Sequence, residues 1–429
     1  MTVGFNKLDI IKTRQVSGPE HRPRTIAEVG VRENLLEEIA LKALYLSGPF
    51  TVLDLAEQTR LSFEVAEQLF QRLRTKLFCE VAGMVANVPQ IVISSHGRTR
   101  ALELLAQNQY SGAMPVSLES YVAQVRRQSV RNLDVRPVDV ERAFRHMVLD
   151  EELLSQFGMA LNSGAAVFLY GPPGVGKTAT AETLSRVLAE DKIWIPYAVE
   201  AGGQIISVYD PVIHGPVEAF VSDDQDRRWI RCKRPTVIVG GELTAEMLDL
   251  QFNPISKYYD CPPQMKANNG VLIIDDFGRQ RIPPEDLLNR WVVPLDRRIE
   301  FLTLVGGRKI EIPFEMLVVF ATNRDPAAIL DAAFMRRIQT KIRIGSPSDE
   351  EFCEIFRRLA AEHGVEVDQD VLDELIVLIR DTLKQELRQC YPRDLIDQIC
   401  WKARYEGRPV SLDRASLRRA VNTYFLQAI

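Results

Sequence analysis

Between residues 31 and 46, Leu35, Leu36, Ile39, Ala43 and Leu44 recur at the spacing of one helix face. A second short helix is expected over 52–58. Ser62 then stands as the N-cap of a third, whose buried stripe is Val65, Leu69 and Leu73. Two short apolar runs, 77–81 and 91–94, read as strands separated by a loop from Ala82-Gly83 to Gln90, and a helix around 99–107 follows. From Ala165 the pattern changes. The runs 165–170, 193–199, 271–274 and 316–321 are almost unbroken apolar stretches, as in strands buried on both faces of a parallel sheet. The run 193–199 is read as the second strand of that sheet. Behind the first run, Ala181, Leu184 and Leu188 mark a helix. Residues 301–304, Val305-Gly306-Gly307 and 308–312 read as a β-hairpin with a Gly-Gly turn. From Ser348, which with Glu351 forms a capping box, the chain is helical to its end, with Pro392 at a later helix start.

The pattern divides the chain into a polar arm (1–30), a small α+β domain (31–115), an Arg-containing linker (116–137), an α/β core (138–345) and a C-terminal helical lid (346–429). A length of 429 residues agrees with two or three domains. The hydrophobic share of 46% and charged share of 26% are those of a soluble globular protein. Net charge is −5, which gives no general attraction to nucleic acid or anionic membranes. No apolar stretch approaches membrane-spanning length, and the first thirty residues lack a signal-like apolar core. A cytoplasmic protein without membrane insertion is expected. The six cysteines show no C-x-x-C spacing and read as reduced, packed thiols.

The strongest chemical signal is Gly171-Pro172-Pro173-Gly174-Val175-Gly176-Lys177-Thr178, which fits G-x-x-x-x-G-K-[ST] between a strand and a helix. Glycines let backbone N–H groups converge on phosphate oxygens, and the helix N-terminus adds favourable dipole charge. The loop with the following Ala179 is therefore the nucleotide-binding candidate. Lys177 would reach the β/γ-phosphates and Thr178 would ligate Mg²⁺. The run 271–274 ends in Asp275-Asp276. Asp275 is the second metal candidate, and Asp276 stands where a carboxylate could orient the attacking water. The run 316–321 ends in Thr322-Asn323, whose amide could contact the γ-phosphate and water from a strand lying between the other two.

In this order the elements resemble the AAA+ family of P-loop ATPases over residues 138–429. The resemblance matches 171–178 to Walker A, 271–276 to Walker B and Asn323 to sensor 1. It matches Arg336 and Arg337 to an arginine-finger pair, without ranking them, and Arg393, in Pro392-Arg393-Asp394-Leu395, to sensor 2. It implies ATP and Mg²⁺ as cofactors, a homo-oligomeric ring of six subunits with the finger delivered from a neighbour, and ATP hydrolysis that remodels a macromolecular partner, a protein client first. The stretch Met147-Val148-Leu149 with Gly158 would lie near adenine.

Residues 31–115 are similar in pattern to a winged-helix domain, a fold that often binds DNA. Eight Lys/Arg against nine Asp/Glu there argue for a protein-contact module, with DNA second. The competing functions are a DNA-bound transcriptional regulator that uses ATP as a switch, and a low-turnover nucleotide-binding scaffold. The second is raised by Asp276, one methylene shorter than the usual Glu. Lys177 and Asp275 also stand 98 positions apart, more than a compact core of this kind needs. The excess lies in 201–269, where Ile205, Ile206 and Tyr209 are candidates for gripping a client.

Overall fold

The computed structural model describes residues 18–19, 22–85, 88–217 and 224–425, so most of the N-terminal arm lies outside the described residues. The N-terminal helices Glu33–Ser47, Val52–Thr59 and Phe63–Thr75 start where their caps direct. Thr51 and Asp54 form a capping box, and Ser62 accepts from the Val65 amide. The hairpin that follows is longer than expected, with strands Cys79–Val85 and Val88–Ile93. Pairing continues through Met84↔Pro89 and Val85↔Val88 after a register shift between Val81 and Gly83. Ala82, Gly83 and Pro89 mask the alternation there, which is why that stretch reads as a loop. Phe50–Thr51 joins as a third strand, and the helix Ser95–Gln107 closes the module.

The central sheet has five parallel strands in the order Thr236–Val239, Val271–Ile274, Leu317–Thr322, Val167–Tyr170, Thr340–Arg343. Its three inner strands are apolar on both faces because both faces are covered. Val167, Leu169, Val271, Ile273, Leu317 and Val319 pack on the helices Pro137–Phe144, Glu151–Ser163 and Lys177–Leu188. Phe168, Leu272, Ile274, Val318 and Phe320 pack on the opposite side against Leu287, Leu288 and Trp291 of the helix Pro284–Arg297. Four helices, Asp349–Glu362, Gln369–Val377, Cys390–Glu406 and Arg414–Tyr424, form the C-terminal part around their own core. Among the described residues no helix is long and apolar enough to cross a membrane.

The second core strand is not the run 193–199. Lys192–Pro196 pairs antiparallel with Trp229–Lys233, and Ala198–Ala201 joins a separate sheet. That sheet runs Gln251–Phe252, Tyr259–Asp260, Gln204–Ser207, Ala198–Ala201, Val116–Ser117. The place beside Val271–Ile274 belongs to Thr236–Val239, an edge strand with Ile238 47% exposed. It is short and half-solvated, so it carries a weaker apolar signal than its displaced rival. The segment 201–269 is accordingly not all insertion. Nor is 116–137 a free linker: Val116, Tyr121 and Val125 are buried in the core of the second sheet, and Asn268 donates to the Tyr121 hydroxyl at 2.9 Å. Ile205 and Ile206 are buried as well, so neither can grip a client. Tyr209 is half-buried, packed on Tyr197 and stacked on His214. The expected hairpin is present as Ile299–Thr303 and Lys309–Pro313, with Gly306 and Gly307 at φ +94° and +82° in its turn.

The N-terminal part of the chain is joined to the strand pair Lys192–Pro196 and Trp229–Lys233 by buried polar contacts just ahead of Trp229. Arg228, only 4% exposed, holds Asp226 with its Nε and Nη2 and donates Nη1 to the Val29 and Pro115 carbonyls at 2.8 and 3.2 Å. Removing one partner of a buried ion pair leaves an uncompensated charge. Arg228→Ala is therefore expected to lower unfolding stability by about 3–5 kcal/mol, read from the urea midpoint of the N-terminal transition.

Candidate active site

The P-loop runs from the end of Val167–Tyr170 into the helix Lys177–Leu188. Gly174 and Gly176 sit at φ +81° and +82°, and a Cβ on Gly171 would lie 2.0 Å from the Ile344 carbonyl oxygen. Side chains at these positions would strain or clash, so the loop conformation depends on glycine. Lys177 opens the helix and is nearly buried. Its Nζ donates to the Gly171 and Pro172 carbonyls at 3.0 and 2.6 Å. Burial lowers the Lys177 pKa, and Asp276 and Asp275 oppose that shift.

Across 97 residues of sequence, the Thr178 hydroxyl donates to Asp275 Oδ2 at 2.9 Å. Asp275 is fixed at the strand end: its N–H donates to the Val239 carbonyl, and Gln280 Nε2 donates to the Asp275 carbonyl at 2.7 Å. Asp276 follows in the left-handed region at φ +49°, a conformation that L-residues adopt at a cost of order 1–3 kcal/mol when the surroundings impose it. The surroundings here are hydrogen bonds on either side. Phe277 N–H donates to the Ala321 carbonyl, Thr322 Oγ1 to the Phe277 carbonyl, and Asn323 Nδ2 to Asp276 Oδ1 at 3.1 Å. Leu317–Thr322 lies between the P-loop strand and Val271–Ile274, so Asn323 emerges between loop and carboxylates. Gly171–Thr178, Asp275, Asp276 and Asn323 thus come together.

The cationic candidates stand apart from this cluster. Arg337 Nε pairs with Asp296 at 2.9 Å, its Nη1 donates to the Ala333 carbonyl, and its guanidinium lies over the Phe334 ring. Arg336 is exposed and makes no hydrogen bond or ion pair among the described residues. The Arg393 side chain is 67% exposed, with Asp394 3.7 Å away. Instead, the residues at and just ahead of the start of its helix touch the loop. Cys390 N–H donates to the Gly174 carbonyl at 3.1 Å, while Arg388 and Gln389 lie against Gly174 and Gly176. Arg388 and Gln389 were missed in the sequence, where only their position before the Pro392 helix start gave a hint. Arg358 was missed too: its Nη1 reaches the Arg145 and Met147 carbonyls at 3.3 and 3.4 Å. Met147 is half-buried beside the P-loop helix, with its Sδ 3.9 Å from the Thr183 hydroxyl. Gly158 faces Val140, an ordinary packing contact.

Thr178 and Asp275 offer oxygen donors, and hard oxygen donors suit Mg²⁺, which usually takes one or two protein ligands with phosphate and water completing its shell. The residues present fit that group.

A family profile described as "Domain of unknown function (DUF8689)" matches residues 348–423. An "AAA ATPase forming ring-shaped complexes" from Rothia mucilaginosa (strain DY-18) is 24% identical over 260 residues, covering 60% of this chain and 37% of that protein. Among solved structures, NtrX from Brucella abortus in complex with ADP aligns with a TM-score of 0.41 and 13% identity, over 68% of this chain and 59% of that one. Domain III of the Thermotoga maritima replication initiation protein DnaA aligns with a TM-score of 0.38 and 13% identity, over 69% of this chain and 100% of that one. The chain spans little more than a third of the Rothia relative's length.

Proposed function

As this chain belongs to the AAA+ family, we propose that it binds ATP with Mg²⁺ and hydrolyses it as a self-assembled ring, six subunits being the expected number, to remodel a protein client. The observation that carries this reading is the Thr178–Asp275 contact beside the glycine loop. Mg²⁺, held by Thr178 and Asp275, would neutralise charge on the β- and γ-phosphates. Lys177 would exchange its two loop carbonyls for phosphate oxygens. Asp276, steadied at one oxygen by Asn323, would use the other to orient water. The water oxygen bonds to the γ-phosphorus, the bond to the β-phosphate bridging oxygen breaks, and the water proton leaves by way of Asp276. Arg336 is the better finger for a neighbour's site, because Arg337 is already held by Asp296. Arg393 would read the phosphate from the lid.

The transcriptional-regulator alternative is weakened by the ion pairs of the third N-terminal helix. Arg72 is paired with Glu33 at 2.7 Å, and Lys76 with Glu37. Of Arg72, Arg74 and Lys76 at the end of that helix, the first and last are thus already paired within the protein. A protein-contact role for this winged-helix-like module fits better.

Lys177→Ala tests the nucleotide assignment. It should weaken ATP binding and lower kcat/KM by about 10²–10³, as when one preorganised charge-stabilising donor is lost. Calorimetry and steady-state phosphate release measure both. Equal turnover in wild type and variant would leave only a scaffold.

A further inference from the structure

A buried polar cluster lies outside the nucleotide site, where the hairpin meets the helix Pro284–Arg297 and the segment 246–266. Arg290 Nη2 and Nη1 grip the two oxygens of Asp249 at 2.9 and 3.1 Å. The same guanidinium approaches Glu300 Oε1 only at 3.3 Å, through both Nε and Nη2. One cation therefore faces two carboxylates, and Asp249 has the shorter, two-pronged share. Glu300 is 3% exposed, whereas the side chain of Asp249 is 43% exposed and keeps water. Two buried acceptor atoms here have no hydrogen-bond partner among the described residues: Glu300 Oε2 and Gln264 Oε1. The Gln264 amide borders the Glu300 carboxyl, but its Nε2 already donates to the Leu248 carbonyl at 2.6 Å. Arg290 Nη2 is likewise shared with the Leu248 carbonyl at 2.8 Å. Lys266, on the same short helix as Gln264, is committed to Asp210 at 2.8 Å. The cluster lacks one donor hydrogen and carries one negative charge too many.

We propose that folded Glu300 holds a proton through the mildly acidic range up to near neutrality, and that this buried proton fastens the inserted hairpin to the body of the protein. A protonated carboxyl supplies the missing donor and removes the surplus charge in one step. It leaves Arg290 paired with Asp249. Burial pushes Glu300 up to about 7, with Arg290 opposing the shift. The sign follows from proton binding. The folded chain holds this proton up to about pH 7, while an unfolded glutamate releases it near 4.5. Stability from Glu300 is thus complete below about 4.5 and is lost as pH rises through 7. This inference does not depend on the ATPase reading.

The test is thermal unfolding of the full chain from pH 5 to 8.5 for wild type, Glu300→Gln and Asp249→Asn. The Gln variant carries a permanent donor without charge. It should melt close to wild type at pH 5 and above it at pH 8. Between these the wild-type folded-to-unfolded ratio should fall by up to tenfold per pH unit relative to the variant. Asp249→Asn frees Arg290 for Glu300, so the pH step should move to lower pH. If Glu300→Gln is less stable than wild type by the same amount at every pH, the carboxylate is ionised and the proposal fails. An unmoved step in Asp249→Asn would overturn it independently.

Discussion

Arg336→Ala is expected to abolish ATP turnover while leaving ATP binding intact, with kcat falling by about 10³–10⁵, the range known for fingers supplied in trans to related NTPases. The expectation rests on its position: exposed at the end of the helix Ala332–Arg337 with no partner among the described residues. A guanidinium tied up at home cannot reach a neighbour's phosphate without breaking a pair, and Arg337 is so tied to Asp296. Arg337→Ala should instead act mainly on the local fold, with a smaller loss of rate. Mixing Arg336→Ala with Lys177→Ala separates the roles. A finger given in trans by the second variant can serve the intact loop of the first, so the mixture should regain activity that neither protein has alone. If the mixture stays dead and Arg337→Ala shows the larger defect, the assignment is reversed.

The second large effect belongs to Asp276→Asn. The change is nearly isosteric and keeps the contact with Asn323, but it removes the negative charge that would orient and deprotonate water. Turnover should drop by about 10²–10⁴, with ATP affinity held within a few-fold because Lys177, Thr178 and Asp275 are untouched. The variant should accumulate as an ATP-loaded assembly, visible by light scattering and by nucleotide extraction. A wild type that turns over no faster than Asp276→Asn would mark the left-handed aspartate as a structural residue only.

The candidate site was legible because each part sits at an abrupt change of pattern: glycines after an apolar run, two acids after another, an asparagine after a third. Buried parallel strands advertise themselves in this way, and Val167–Tyr170, Val271–Ile274 and Leu317–Thr322 were all found. Thr236–Val239 was not, because an edge strand needs only one covered face and its Ile238 stays half in water. The run at 193–199 was misassigned because apolar continuity says nothing about which partner a strand takes. Residues 116–137 read as a helical or extended connector, and the burial of their helix was missed because their arginines, at the surface, outweighed Tyr121 and Val125. Arg358 and Arg388 could not be found from spacing. Their targets are backbone carbonyls and glycines brought near by the lid, and those leave no signature in either segment.

The joint at Arg228 has a mechanical consequence. The first hydrophobic core includes Ala198 and Ile205 from beyond the N-terminal module. Lys257 reaches the Ala106 carbonyl, and Tyr110 meets Tyr258 edge-on. Such a mount has no slack. A load taken up by the N-terminal helices would pass straight into the strands they pack on, with no free swing of a tethered arm.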